Sequence, residues 1–277
     1  MAPFFARAAR SGPKAEEKSP GKTKQRRFSL IPCRSRTGAV KRMKYDKVLV
    51  KLSGESLGEN GKLFDHDMID RTANILKRAA EMDIAVGVVI GAGNIWRGRQ
   101  GKNMDEVTAH QMGMLGTVIN CLCMRDALER QGVAVRMFSA IDMPRVCETY
   151  NPHQAARAMK KGAVCLFAGG TGNPFFSTDT GVVLRAVETG ADCILMAKNV
   201  DGVYTADPDE DPNAVLIRDI SYEEAQARGL KVMDSAAFSL CAENKVPFVR
   251  VFGLSDPENI LKVLAGDDMG TVLHPKA

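Results

Sequence analysis

The chain has 277 residues, 45% hydrophobic and 26% charged, a balance that suits one large α/β domain or two smaller lobes around a sizeable core and excludes disorder throughout. Its formal charge of +5 is unevenly spread: residues 1–42 hold 12 Lys/Arg against 2 Asp/Glu, so the body beyond is mildly acidic. No run approaches the roughly 20 apolar residues of a membrane span and no secretory apolar segment precedes a small-residue cleavage site, so the expected setting is intracellular, with no membrane partner.

Residues 1–42, with Gly12-Pro13, Ser19-Pro20-Gly21 and the basic run from Lys24 to Arg27, lack the apolar period of a helix or strand and read as a disordered basic tail. Two origins fit: a transit peptide, Arg-rich and poor in acids, or a start codon misplaced upstream of Met43. The first places the protein in a plastid or mitochondrion, the second in the cytoplasm. The folded body is then 43–277.

Strands and helices alternate from there. A strand over 47–52 buries Val48, Val50 and Leu52 with alternating neighbours, and Met68, Ala73, Leu76 and Ala80 recur at helical spacing. Residues 84–90 are almost continuously apolar, as in a strand covered on both faces. Helical stretches at 107–130, 152–161 and 179–189 then alternate with strands at 133–138, 163–168 and 193–197, and a further strand is predicted at 247–252. Ser221 and Glu224 have capping-box spacing for a helix over 222–228, and Asp256-Pro257-Glu258 opens the last helix. Such βαβ alternation predicts a largely parallel sheet. The seven cysteines (33, 121, 123, 147, 165, 193 and 241) mostly sit in apolar runs and read as reduced core residues; Cys121 and Cys123 have no second cluster to complete a metal site.

In an open parallel sheet ligands bind beyond the carboxyl ends of the strands. There this sequence is rich in glycine: Lys51-Leu-Ser-Gly-Glu55 after the first strand, Gly91-Ala-Gly-Asn-Ile-Trp-Arg-Gly98 after the second, and Gly169-Gly-Thr-Gly-Asn-Pro-Phe-Phe-Ser-Thr-Asp179 after the fourth. One such loop is an ordinary tight turn. Three at one edge outline a phosphate site, because glycine lets backbone N–H groups approach phosphate oxygens and a following helix N-terminus adds partial positive charge. Neither standard nucleotide fingerprint is present: Trp96 breaks the dinucleotide pattern after Gly93, and Gly21-Lys22-Thr23 lacks the earlier glycine of a P-loop. Lys51 at a strand end needs an anionic partner or an exit to solvent, and Arg97 has the planar fork that suits phosphate. Thr178 and Asp179 open a helix, where Thr178 can cap and Asp179 can favour the dipole or orient a lysine or magnesium. Lys198-Asn-Val-Asp-Gly-Val-Tyr-Thr-Ala-Asp-Pro208 offers Tyr204 for stacking on a base and Asp207 as an acceptor for a ribose or base.

Over residues 45–273 these segments resemble the amino acid kinase superfamily, and within it the bacterial-type uridylate kinases. Lys51-Leu-Ser-Gly-Glu is shared with carbamate, acetylglutamate and aspartate kinases. Thr171-Gly-Asn-Pro-Phe-Phe-Ser-Thr-Asp179, supported by His110-Gln-Met-Gly-Met-Leu115 and Val232-Met-Asp234, discriminates. The resemblance implies an α/β three-layer αβα sandwich and ATP-dependent phosphorylation of UMP. It assigns ATP to Lys51, Leu52, Ser53, Gly54, Gly93, Arg97, Lys198, Tyr204 and Asp207, and UMP to Ala92, His110, Thr171, Gly172, Asn173, Pro174, Phe175, Phe176, Ser177 and Thr178. Lys51, Arg97, Asp179 and Asp234 become the catalytic set, with Mg²⁺ carried by ATP and no protein metal ligand. It also implies a homohexamer inhibited by UTP, with GTP as a candidate activator and no nucleic-acid partner.

Three positions depart from the family. His110 stands where an aspartate usually grips the UMP ribose, so that contact is remade, donated by imidazole or lost. Ala92 replaces the middle glycine of a triple, which a methyl tolerates if φ there is negative. The loop over 58–64 is shorter and poorer in glycine than GTP-responsive versions, although Arg125 matches a GTP-contacting arginine. The competing readings keep the fold and change the acceptor to carbamate, an acyl phosphate precursor or isopentenyl phosphate, or make the protein a non-catalytic nucleotide binder.

Overall fold

The structure, a computed structural model, describes residues 45–58, 62–96, 101, 103–208, 210–230 and 232–276. The chain divides into a segment Met1–Lys41 and a body Arg42–Ala277. The basic leader, Cys33 and Arg97 lie outside the described residues, as do residues 59–61 of the loop over 58–64.

The body is built on a nine-stranded sheet of order β4-β3-β5-β2-β1-β6-β10-β11-β9. Its strands are β1 (Lys47–Leu52), β2 (Ala85–Ile90), β3 (Val135–Ser139), β4 (Glu148–Thr149), β5 (Val164–Ala168), β6 (Cys193–Lys198), β9 (Asp219–Ser221), β10 (Val249–Gly253) and β11 (Thr271–His274). β7 (Val203–Tyr204) and β8 (Leu216–Ile217) form a separate antiparallel ribbon. Every pairing in the main sheet is parallel except β10 with β11. The expected largely parallel α/β sandwich is therefore present, with a short antiparallel edge.

Helices α1 (His66–Glu81), α2 (Glu106–Arg130) and α7 (Asn259–Leu264) cover one face; α3 (Pro152–Lys160), α4 (Thr178–Thr189), α5 (Tyr222–Ala227) and α6 (Ser235–Glu243) cover the other. Two cores result. On the α1 side Val48, Val50 and Leu52 meet Ile69, Leu76, Met124 and Leu128; on the α4 side Leu49 and Ile194 meet Met159, Val183 and Phe238. β1 is thus buried on both faces, which corrects the alternation predicted for it: Leu49 is as enclosed as Val48 and Val50. On α1 the inward stripe is Ile69, Thr72, Ala73, Leu76 and Ala79, with Met68 and Ala80 at its margins. Its N-terminus is fixed by Asp65, which accepts a hydrogen bond from the Met68 amide at 3.2 Å. Ser221 caps α5 through the Glu224 amide, as the capping-box spacing predicts.

The six described cysteines are free, and all but Cys123 are buried. Burial pushes the Cys121 thiol up to about 12, so it stays protonated and inert at neutral pH. Among the described residues no helix is long and apolar enough to cross a membrane.

Candidate active site

Strands β5, β2, β1 and β6 are consecutive parallel neighbours, so their carboxyl ends deliver four loops to one edge. Lys51 lies near the end of β1, Lys198 is the last residue of β6, and Asp179 is the second residue of α4. The three meet: the Lys51 ammonium lies 2.8 Å from Asp179 Oδ1 and the Lys198 ammonium 3.1 Å from Oδ2. Lys198 also donates to the Val232 carbonyl. The Lys51 ammonium is the partner of Oδ1, which is otherwise buried. Burial opposes the charge on Asp179, yet the two ammoniums together hold its carboxyl below the usual range. Two cations on one carboxylate leave a net positive centre at a helix N-terminus, which attracts phosphate.

The helix that carries Asp179 is itself tied down. Its N-cap is Ser177, not Thr178: the Ser177 hydroxyl accepts from the Asp179 and Thr180 amides at 3.0 and 3.2 Å and donates to Asp234. Thr178 is the first helical residue, the cap having moved one position because Ser177 keeps extended φ/ψ. Asp234 also accepts from the Thr180 hydroxyl at 2.8 Å and caps α6 through the Ala237 amide. It therefore joins α4 to α6 and organises Asp179 from behind.

The glycine loops close on one another. A methyl at Gly54 would come 2.5 Å from the Gly91 carbonyl oxygen and 2.6 Å from both the Gly93 nitrogen and Asn94 Oδ1; one at Gly91 would approach Thr178 Oγ1 at 3.4 Å. Leu52 is buried beneath this junction, and Ser53 caps the 3-10 turn Gly54–Leu57. In the third loop the glycines serve conformation: φ is +75° at Gly169, +58° at Gly170 and +84° at Gly172. Ala92 keeps φ outside the left-handed region, as its methyl requires, and packs against Gly116 of α2.

Thr171, Gly172, Asn173 and Pro174 continue that loop to two displayed rings, Phe175 at 61% exposure and Phe176 at 49%. Phe175 has φ +69°, a strained backbone for a bulky residue, and strain of this kind gathers at functional sites. Its ring lies 4.8 Å from that of His110. His110 thus faces the loop assigned to UMP. Tyr204 is half-buried and lines a cavity of about 600 Å³ with Asp201, Gly253, Asn259 and Asp268; Asp207 is exposed and stands outside that lining.

Sequence reasoning missed the polar residues behind the loops. Asn120, fully buried on α2, donates to the Gly91 carbonyl at 2.6 Å and exchanges hydrogen bonds with Asn94 at 2.8 and 3.1 Å. Thr117, one turn earlier, accepts from the Gly169 amide at 2.9 Å. On α4 the buried Arg185 donates to the Gly170 carbonyl at 3.0 Å, pairs with Glu188 at 2.6 Å and lies over the Tyr150 ring at 3.9 Å. The available signal was a polar residue inside an apolar helical run.

A parallel sheet whose adjacent carboxyl-end loops gather two lysines, glycine amides and a helix N-terminus defines an α/β protein of the phosphotransferase class. Over residues 46–252 the chain matches the amino acid kinase family, and it belongs to that family. Among solved structures it is similar to the UMP kinase from Bacillus anthracis (34% identity, TM-score 0.81, covering 85% of this chain and 98% of that one). It is similar too to the UMP kinase from Ureaplasma parvum (35%, 0.79, 84% and 100%) and the uridylate kinase from Archaeoglobus fulgidus (26%, 0.64, 82% and 99%).

Proposed function

We propose that this protein is a nucleoside monophosphate kinase that transfers the γ-phosphoryl group of ATP directly to UMP, giving UDP and ADP. The observation that carries the reading is the Lys51–Asp179–Lys198 centre at the meeting point of three glycine-rich loops, in a chain similar to UMP kinases over 84–85% of its length.

The acceptor is itself a phosphate, ionised at neutral pH, so no general base is required. The difficulty is repulsion between two anions. Lys51, Lys198, the loop amides and the α4 N-terminus meet it by placing positive charge where the transferred group passes, and Arg97 is assigned the same role from sequence. Asp179 keeps both ammoniums in register, and Asp234 keeps Asp179 in place through Ser177 and Thr180. Mg²⁺ bound to the ATP phosphates would supply shielding of their charge; Asp179, already paired with two lysines, orients those two ammonium groups. The proposed donor side is Lys51–Gly54, Gly93, Lys198, Tyr204 and Asp207, and the proposed acceptor side Ala92, His110 and 171–178.

A homohexameric assembly in the cytoplasm, inhibited by UTP, completes the proposal. The long helix α2 supports assembly: Leu115 and Ile119, one turn apart, are 43% and 47% exposed. For GTP as activator, the support is a cavity of about 370 Å³ lined by Arg125 and Arg145, where Arg136 is paired with Glu148.

ADP formation from ATP-Mg²⁺ measured with UMP, CMP, dCMP and no acceptor tests the reading. Turnover dependent on UMP supports it; silence with every nucleotide moves the protein to another acceptor or to a binding role. Lys51→Ala and Arg97→Ala are each expected to lower turnover by roughly two to three orders of magnitude with the fold intact. Normal turnover in both contradicts the assignment.

A further inference from the structure

We propose that Thr117 and Asn120 are positioning residues that set the spacing between the loop after β2 and the acceptor loop after β5. The loop after β2 carries Ala92 and Gly93 and packs on Gly54 of the donor side; the kinetic form of the proposal rests on the ATP and UMP assignment above. The two side chains stand three residues apart on α2, both within 2% of complete burial, in a helix otherwise packed on apolar strands. Each holds a backbone group of a different glycine loop. Asn120 Nδ2 donates to the Gly91 carbonyl and to Asn94 Oδ1, while its own oxygen accepts from Asn94 Nδ2. The Asn94 amide extends this chain to the Leu63 carbonyl at 2.9 Å. Thr117 Oγ1 accepts from the Gly169 amide and donates to Met114 in its own helix at 2.6 Å.

The same face of α2 touches these loops elsewhere. The Trp96 indole donates to the Ala109 carbonyl at 2.9 Å, and Gly116 leaves room for the Ala92 methyl. Gly91 and Gly169 are the first loop residues after β2 and β5, which pair directly. One rigid helix therefore gauges the gap across which a phosphoryl group is transferred, and a shift of about 1 Å in such a gap costs roughly a hundredfold in rate.

The experiment is steady-state kinetics on the full chain with Thr117→Val, Thr117→Ser and Asn120→Asp. Thr117→Val keeps the shape and leaves the Gly169 amide without a partner, so the KM for UMP is expected to rise about tenfold, with a fall in kcat and the KM for ATP within about twofold. Thr117→Ser, which retains the hydroxyl, restores both constants. Asn120→Asp loses the donor to Gly91 and is expected to weaken ATP-Mg²⁺ about tenfold. Wild-type constants in Thr117→Val, or equal impairment in Thr117→Ser, overturn the proposal. If the unmodified chain shows no turnover with UMP, the acceptor reading falls and calorimetric ATP-Mg²⁺ affinity decides the proposal. Weakening by Asn120→Asp with Thr117→Val unchanged supports it, and unchanged affinity in both overturns it.

Discussion

A carboxylate buried between two ammonium groups is held charged by them, and its removal leaves the cations facing each other. Asp179→Asn is accordingly expected to destabilise the fold by about 3 kcal/mol and to lower turnover at least a hundredfold, measured by urea unfolding and ADP release. The pH dependence follows from the direction of the shift. The folded value of Asp179 lies below its unfolded one, so the contribution is complete above about 3.9 and lost as pH falls through the lowered folded value. The gap in stability between the parent chain and Asp179→Asn should be constant from pH 6 to 8 and shrink in acid below about pH 4; a gap unchanged at pH 2 would contradict the pairing. Lys51 and Asp179 were legible in the sequence because charged residues at strand and helix ends are conspicuous beside apolar runs. Lys198 came only through the family resemblance. The common meeting point of the three was not legible, since it depends on β6 lying next to β1 although some 140 residues separate them. Asn120, Thr117 and Arg185 escaped for a related reason: a buried polar side chain is defined by its partner, and each partner here is a distant backbone atom.

The elements that build the site divide in the same way. Strands of five or six residues buried on both faces announce themselves as continuous apolar runs, and β1 emerges with the predicted bounds while β2 begins one residue later. β4, β7 and β8 have two residues each, too few to carry a period. α6 went unseen because Ala236, Phe238, Leu240, Cys241 and Ala242 put apolar residues around its whole circumference. The junction of loops after β1 and β2 yields an element-scale test. A methyl at Gly54 would meet the Gly91 carbonyl, which Asn120 holds by a hydrogen bond and so keeps from yielding. Gly54→Ala is expected to cost about 1–3 kcal/mol by overpacking and to reduce kcat roughly a hundredfold, while far-UV circular dichroism stays that of the parent. A Gly54→Ala variant with full turnover would mean that the two loops move independently.

At the scale of the molecule, α2 is the element with two duties. Its inner face meets the glycine-rich loops after β2 and β5 through Ala109, Gly116, Thr117 and Asn120, and its outer face leaves Val107, Leu115 and Ile119 exposed. Single exposed apolar residues are normal on any protein surface, but two large ones a turn apart on the longest helix form a stripe suited to another copy of the chain. If the proposed hexamer uses that stripe, replacing it with charge places carboxylates in the contact and breaks it, since a buried unpaired charge costs more than the apolar area returns. Leu115→Glu with Ile119→Glu is expected to reduce the mass seen by light scattering from about six times the 30.0 kDa chain to one or two times it. Turnover should fall as well, because the helix that gauges the loops loses its outer support. A hexamer that survives both substitutions assigns the contact to another surface, and a dissociated chain with full activity makes α2 rigid without a neighbour.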